Sequence, residues 1–146
     1  MKLMQSRNVF HDEEIQEVLL QHKEAFGFSD IVDVNAMKRE YEFYVALNCE
    51  NELAGLGWID TFYNEDGEVE AEVSLCVYKD ESNKGTGTFI LLEMEKLIVN
   101  SNVNIINSMI KRSNPNYDFV VEWFLKQGYQ LILEEVGADT WLQKRI

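Results

Sequence analysis

The sequence predicts one α/β domain, in which a mixed and mostly antiparallel central sheet of about seven strands is flanked by about four helices. Its 146 residues fall within the usual size of a single domain. Apolar residues make up 46% of the chain and charged residues 27%, which excludes disorder as the main state. A strand-like segment and two helix-like segments come first, three strand-like segments follow, and helix-like and strand-like segments then alternate.

The N-terminal segment opens with a weakly alternating stretch, residues 2–10, which predicts a short edge strand. Residues 12–25 predict a helix, because apolar side chains recur there at the helical period and acidic residues fill the first turn. Gly27 is a suitable end for that helix. A short second helix is expected over residues 35–41, with Asn35 as its N-cap.

Three strands are predicted next along the chain. Residues 42–48 and 53–61 are rich in aromatic and β-branched side chains. The Asp66-Gly67 pair indicates a hairpin turn. Residues 68–78 then alternate strictly between polar and apolar side chains, so this segment is expected to form a half-buried strand.

The second half of the chain predicts alternating helices and strands. The segment 86–99 begins with turns that are apolar nearly all round, so its helix is expected to pack under the sheet. Pro115 suits the first turn of a further helix that would open at Asn114. The remaining predicted elements are a strand over residues 103–110, a helix over residues 114–127, and closing strands over residues 129–136 and 140–145.

A polar loop with two glycines, residues 82–88, joins the alternating strand to the apolar helix. Amides at a helix N-terminus point outward without partners and carry partial positive charge. Glycines there let the backbone approach a ligand, which predicts an anion cradle suited to phosphate. A dinucleotide fingerprint is excluded because Ile90 stands three residues after Gly87. A tight strand-to-helix turn without a ligand is the alternative interpretation.

Two motifs in this half resemble those of the GNAT acyltransferases. Leu75-x-Val77 followed by Lys84-Gly85-Thr86-Gly87 and an apolar helix is similar to the family's acetyl-CoA motif, Gln/Arg-x-x-Gly-x-Gly/Ala. The run Phe124 to Tyr129, which ends in Gly128 and an aromatic residue, is similar to the second motif. The order of elements also agrees over nearly the whole chain, so the resemblance implies one GNAT-like domain over residues 1–146.

The resemblance implies a set of residues that bind acetyl-CoA, which is the expected co-substrate. Backbone groups of one strand would pair with the pantetheine arm, and loop amides would hold the pyrophosphate. Asn114 would contact the pantetheine, and Phe124 would lie beside the thioester. The strand residues are Leu75, Cys76 and Val77, and the loop residues are Asn83, Lys84, Gly85, Thr86, Gly87 and Thr88.

Three positions depart from the family pattern. Ser82 replaces the family's Gln or Arg, which removes a long side chain but leaves the backbone cradle. Phe124 stands where many members carry a tyrosine that protonates the leaving thiolate. Tyr117 stands where an asparagine is usual, so either Asn114 or Asn116 would take that role.

Two carboxylates are candidates for a general base, which is needed because an ammonium must lose a proton before it attacks a thioester. Glu72 is the first candidate and Glu70 the alternative, since both lie on the strand that would flank the thioester. Alignment on the glycine loop places the family's base position at Ala71, and a β-bulge would absorb that shift. The other interpretation makes these glutamates the solvated face of an amphipathic strand.

The charge distribution indicates the class of partner. Of the net charge of −13, residues 1–72 carry −12 and residues 73–146 carry −1. This balance argues against a nucleic-acid partner, and it favours a small cationic molecule or a basic peptide as the amine acceptor. An acidic surface that serves only solubility is equally compatible with this charge distribution. A catalytically degenerate GNAT-fold module that binds CoA or a protein is the alternative function.

The other candidate chemistries are weak. His11 and His22 would share a helix face but lie about 16 Å apart, at about 1.5 Å per residue, so they cannot chelate one metal ion together. Cys49 and Cys76 lack the close spacing of a metal site, so no metal is expected. No apolar run is long enough to cross a membrane, and the expected location is the cytoplasm. The choice between monomer and homodimer is left open.

Overall fold

Seven strands form one sheet in the order β1-β2-β3-β4-β5-β7-β6. The computed structural model describes residues 1–5, 12–28, 33–36, 41–133 and 137–146. All neighbouring strands are antiparallel except β4 and β5, which are parallel. The strands are β1 (Lys2–Gln5), β2 (Phe43–Leu47), β3 (Leu53–Tyr63), β4 (Val69–Val77), β5 (Ile105–Ile110), β6 (Gln130–Leu133) and β7 (Thr140–Arg145).

Helices cover both faces of this sheet. The helices are α1 (Asp12–Gln21), α2 (Lys23–Phe26), α3 (Thr86–Val99) and α4 (Tyr117–Lys126). A helical turn over residues 33–36 and a short 3-10 helix, Lys79–Glu81, complete the described helical segments. The expected α/β class with a mostly antiparallel seven-stranded sheet is therefore confirmed. Within the described ranges, no helix has the length and apolar character needed to cross a bilayer.

Two apolar cores lie on opposite faces of the sheet. On one face, Ile90, Leu91 and Met94 of α3 pack against Ala71 and Val73 of β4. The other core joins α1 to the opposite face of the sheet, and its members include Ile15, Val18, Leu19, Val45, Leu56, Trp58 and Cys76. Alternate residues of a strand point to opposite faces, so the predicted alternation of β4 feeds both cores.

Several predicted boundaries are wrong in the N-terminal half. The predicted helix over residues 12–25 divides at His22, the residue between α1 and α2. Asn35 is not an N-cap, because it lies inside the helical turn that spans residues 33–36. The predicted strand and helix also cover residues 6–10 and 37–40, which lie outside the described residues. Tyr41 is described, and it is not helical.

The start of α4 also differs from the prediction. Asn114 and Pro115 form a turn ahead of the helix, which begins at Tyr117 with Asn116 as its N-cap. The side-chain oxygen of Asn114 accepts a hydrogen bond from the Asn116 amide at 2.9 Å, and this local bond competes with helix formation. The chain therefore turns once more before α4 can start.

Candidate active site at the parting of two parallel strands

A cleft opens where β4 and β5 part. The two strands are paired only between Glu70–Glu72 and Ile105–Asn107. Beyond that point β4 runs on to Val77 and β5 to Ile110 without pairing to each other. The cleft has a volume of about 690 Å³ and reaches from Glu72 to the loop before α3.

The backbone edge of β4 beside this cleft is largely free for a ligand. The Tyr78 amide donates to Ala54 O of β3 at 2.9 Å, so by alternation Cys76 also faces β3, while Leu75 and Val77 face the cleft. Val77 O accepts a 2.7 Å hydrogen bond from His22 Nε2. The prediction that Cys76 pairs with a pantetheine arm is therefore wrong, because its backbone groups point at β3. Leu75 and Val77 keep that expected role.

The loop before α3 forms a concave backbone surface at one end of the cleft. Asn83 and Gly85 have φ angles of 61° and 82°, both in the left-handed region. Gly85 is the N-cap of α3, and a Cβ atom there would meet nothing within 4 Å. The first amides of α3, from Thr86 to Thr88, therefore have no helical partner and lie beside the cleft.

Thr86 adds a buried polar atom to this surface. Its residue is 1% exposed, and its Oγ1 has no hydrogen-bond partner within the described molecule. A buried hydroxyl without a hydrogen-bond partner is energetically costly. A ligand in the cleft that carries hydrogen-bonding groups would supply the missing partner.

Lys84 is the exception among the expected loop residues. It does not line the cleft, its side chain is 61% exposed, and its Nζ lies 3.9 Å from a Glu81 carboxylate oxygen.

The side of the cleft that is formed by the start of α3 and by α4 is apolar. A Cβ atom on Gly87 would lie 3.7–3.8 Å from side-chain atoms of Val77, Leu75 and Trp123, so the start of α3 faces these residues directly. Phe124 of α4 is 4% exposed and lines the cleft, with its ring 4.9 Å from that of Trp123. Asn114 and Asn116 both line the cleft at the turn before α4.

Glu72 lies at the opposite end of the cleft from the glycine loop. Its carboxyl is half-buried, and this burial raises its pKa. Asp60, its register partner on β3, raises the pKa further by charge repulsion, whereas Lys111 lowers it. A carboxylate with such an environment in a cleft is a typical proton acceptor.

Glu70, the alternative base, is placed differently. It does not line the cleft, and its two carboxylate oxygens accept hydrogen bonds from Asn107 at 2.6 Å and from Asn64 at 2.9 Å. The proposed bulge at Ala71 is absent, because the β3–β4 register runs unbroken along both strands. Ala71 is buried beneath α3, so its position cannot supply a base.

No tyrosine lines the cleft among the described residues. The Tyr117 hydroxyl is hydrogen-bonded to Thr140 Oγ1 on β7, and the Arg112 guanidinium lies 4.2 Å from the centre of its ring. Tyr129 is 2% exposed, packs edge-on against Phe124, and does not line the cleft. Phe124 therefore lines the cleft, while Tyr117 and Tyr129, the two tyrosines nearest to it in sequence, do not.

Sequence reasoning missed two residues of the cleft. His22 is helical in its pattern, but the break between α1 and α2 directs it to β4. Lys111 follows the last residue of β5 and lines the cleft opposite β4. A charged residue directly after a strand was the only signal for Lys111, and no local signal marked His22.

The remaining sequence candidates lie elsewhere. Burial raises the pKa of the Cys76 thiol, which makes it a poor nucleophile. Cys49 is exposed on the turn between β2 and β3. Within the described ranges, no group of three or more metal-ligating side chains comes together, and His11 lies outside those ranges.

Comparison with known proteins rests on structure. The chain matches no family model and no curated protein sequence. A GCN5-related N-acetyltransferase from Kribbella flavida superposes with a TM-score of 0.79 at 12% identity, over 99% of this chain and 97% of that one. A ribosomal-protein-alanine N-acetyltransferase from Brucella melitensis gives 0.69 at 14% identity over 100% of both chains. A phosphinothricin acetyltransferase from Sinorhizobium meliloti, solved with AcCoA, gives 0.69 at 15%, over 99% and 88%.

The chain has the GNAT fold. The resemblance of the glycine loop and of the segment ending at Gly128 is thereby confirmed at the level of fold. Because the fold is shared at only 12–15% identity, it tolerates extensive change of sequence.

Proposed function

We propose that this protein is an acetyl-CoA-dependent N-acetyltransferase that acetylates a primary amine of a small cationic molecule or a basic peptide. The observation that carries the proposal is the free edge of β4 leading to the glycine loop. An extended arm can add to that edge like a strand, while an anion occupies the helix N-terminus at its end. The complex of a GNAT neighbour with AcCoA supports this choice of co-substrate.

The residues present fit such a ligand. Backbone groups of Leu75 and Val77 are positioned to bind the pantetheine arm. The amides from Thr86 to Thr88 and the unpartnered Thr86 hydroxyl would hold the pyrophosphate. Trp123 and Phe124 shield the thioester end from water. When bound, acetyl-CoA supplies an activated acetyl group on sulfur, and its thiol is the leaving group.

Glu72 is the residue that we assign to proton transfer. A primary amine arrives as an ammonium, and it becomes a nucleophile when one proton passes to a Glu72 carboxylate oxygen. The nitrogen then forms the amide bond as the carbon–sulfur bond breaks, and the electron pair of that bond leaves on sulfur. The nitrogen loses its second proton to solvent as the amide forms, and Glu72 later releases its own proton to solvent. The thiolate takes a proton from solvent, because Phe124 has no group that can donate one.

The acceptor side of the cleft supports a cationic amine. The Glu72 carboxylate lines the cleft, and Asp60, its register partner on β3, adds a second negative charge beside it. Residues 1–72 carry most of the net negative charge, and an acidic surface raises the local concentration of cations. A cytoplasmic location is part of the proposal, and the free thiols of Cys49 and Cys76 are compatible with it.

A degenerate module that binds CoA without turnover is the second candidate. The observation that favours it is the lack of any tyrosine among the described residues of the cleft. The two functions share the same binding site, and they differ in whether CoA thiol is released.

Calorimetry with acetyl-CoA tests the binding site. Gly87→Glu would place a carboxylate beside the pyrophosphate cradle, and we expect at least about tenfold weaker binding, or about 1.4 kcal/mol. Leu92→Glu is the matched control, since it adds the same charge on an exposed position of α3 outside the cleft. Equal affinities in the two variants would disprove the assigned cradle.

Thiol release with a panel of amines then separates the enzyme from the module. The proposed enzyme releases CoA thiol in proportion to the acceptor consumed, whereas the module binds acetyl-CoA and releases none. Mass spectrometry of the acceptor, with a gain of one acetyl group, completes the assignment.

A further inference from the structure

We propose that Lys111 is a positioning residue for Glu72, and that its ammonium at the end of β5 acts on the Glu72 carboxylate across the cleft that both residues line. This inference rests on the proposed function, since it assigns Lys111 to the same proton-transfer site. It names a residue that neither the glycine loop nor the second motif indicates.

The fold holds Lys111 in a defined place. Lys111 follows β5, and its side chain passes beside Gly27, the residue that ends α2. A Cβ atom on Gly27 would lie 3.4 Å from Lys111 Cε, 3.5 Å from Cδ and 3.6 Å from Nζ. Gly27 also has a φ angle of 74°, which favours glycine. The end of α2 therefore leaves space for the Lys111 side chain, and a side chain at position 27 would narrow that space.

Two observations connect Lys111 to Glu72. Both residues line the same cleft, and no ion pair within 4 Å joins Lys111 to a carboxylate of the described residues. Its ammonium is therefore not committed to a surface salt bridge. Among the described residues that line the cleft, Lys111 has the one side chain with a permanent positive charge.

The groups around Glu72 act in opposite directions. Burial and the Asp60 carboxylate of β3 favour the protonated acid, while Lys111 from the end of β5 favours the carboxylate. His22, from the junction of α1 and α2, lines the same cleft and binds Val77 O. Without Lys111, burial and Asp60 would act unopposed. Glu72 would then hold its proton over a wider pH range and would accept one from the acceptor less readily.

The test measures the titration of Glu72 directly, in protein without ligand. Carbon-13 NMR of labelled glutamate side chains follows each carboxyl, and Glu72→Gln identifies the Glu72 signal. We expect Lys111→Met to move the Glu72 midpoint to higher pH and Lys111→Arg to restore it. Lys96→Met is the matched control, because it removes the same charge from a side chain that is 70% exposed and paired with Glu93. Asp60→Asn should move the midpoint to lower pH.

The same variants are then assayed for turnover. On the acid side of the profile, kcat/KM of Lys111→Met should fall about threefold below that of Lys96→Met, and the plateau at high pH should be shared. Circular dichroism confirms that each variant is folded. If Lys111→Met does not fold, the comparison of Lys111→Arg with the wild type still tests the proposal. A Glu72 midpoint that is the same in Lys111→Met and Lys96→Met overturns the proposal. A wild-type protein that never releases CoA thiol overturns the proposed function instead, and leaves the titration result standing.

Discussion

The hydroxyl groups of Tyr117 and Thr140 are hydrogen-bonded to each other across α4 and β7. This bond holds the phenol of Tyr117 on the β7 side of α4, away from the residues that line the cleft. The helix therefore presents Phe124 to the cleft and ties its nearest phenol to the sheet. The structure separates a stabilising role for Tyr117 from any role in catalysis.

The pair Phe124→Tyr and Tyr117→Phe tests this separation. A phenol at position 124 could donate a proton to the leaving thiolate, so we expect kcat to be unchanged or raised, with a limit of about 10²–10⁴-fold for general-acid help. Tyr117→Phe should leave kcat unchanged and cost about 0.5–1.5 kcal/mol of stability. Steady-state kinetics and urea unfolding measure the two effects. A Tyr117→Phe variant that binds acetyl-CoA normally but has no turnover would contradict the prediction.

Glu72→Gln should abolish most turnover and yet stabilise the protein at neutral pH. As the base, Glu72 is expected to contribute about 10²–10⁴-fold to kcat. Burial raises the pKa of Glu72 in the folded protein above its value in the unfolded chain. The folded state therefore binds the proton more tightly, and stability is lost as the pH rises between the two values.

Thermal unfolding at two pH values measures this second effect. At pH 7, Glu72→Gln should melt at a higher temperature than the wild type. Below about pH 4, where the Glu72 carboxyl is protonated in both states, the difference should vanish. Glu65→Gln on the exposed turn between β3 and β4 is the control for net charge. Equal melting temperatures of Glu72→Gln and wild type at pH 7 would show that the carboxylate is not destabilised by its surroundings.

Gly55 and Gly57 of β3 should differ in their tolerance of alanine. A Cβ atom on Gly55 would lie 2.7 Å from the backbone oxygen of Cys76, which is fixed in the sheet. A Cβ atom on Gly57 would lie 2.6 Å from Met94 Sδ, near the end of a flexible side chain. We expect Gly55→Ala to cost about 1–3 kcal/mol and Gly57→Ala less, as measured by urea unfolding. A greater loss for Gly57→Ala would show that Met94 cannot move.

The apparent KM for the acceptor should rise with ionic strength. Attraction between a cationic amine and the acidic surface is screened as the Debye length falls from about 10 Å at 0.1 M salt to about 3 Å at 1 M. The KM for acetyl-CoA provides the internal comparison, because this co-substrate is an anion that the acidic surface does not attract. A preference for a neutral or acidic acceptor would mean that the charge of residues 1–72 serves solubility alone.

Elements with a strong periodic pattern were predictable from the sequence. The helix over residues 86–99 matches α3 residue for residue, because its apolar pattern and the glycine before it agree. The alternation of residues 68–78 gave β4 to within one residue at each end. The start of α4 was missed, since the Asn114 side chain stabilises a turn that propensity alone does not reveal.

The site was predictable only in part. The glycine loop and Glu72 lie on elements with clear patterns, and both line the cleft. His22 and Lys111 reach the cleft through tertiary packing, because α1 ends at Gln21 and Gly27 admits the Lys111 side chain. The Cys76 backbone was assigned wrongly, because the sequence does not specify which edge of β4 each residue faces.

The two apolar cores support different walls of the cleft. Ala71 and Val73 of β4 belong to the core beneath α3, whereas Cys76 belongs to the core beneath α1. His22 and Phe26 reach the cleft from the α1 side, whereas Trp123 and Phe124 reach it from the α3 side. Substitutions in the core beneath α1 should therefore alter the wall at His22 and Phe26 more than the wall at Trp123 and Phe124.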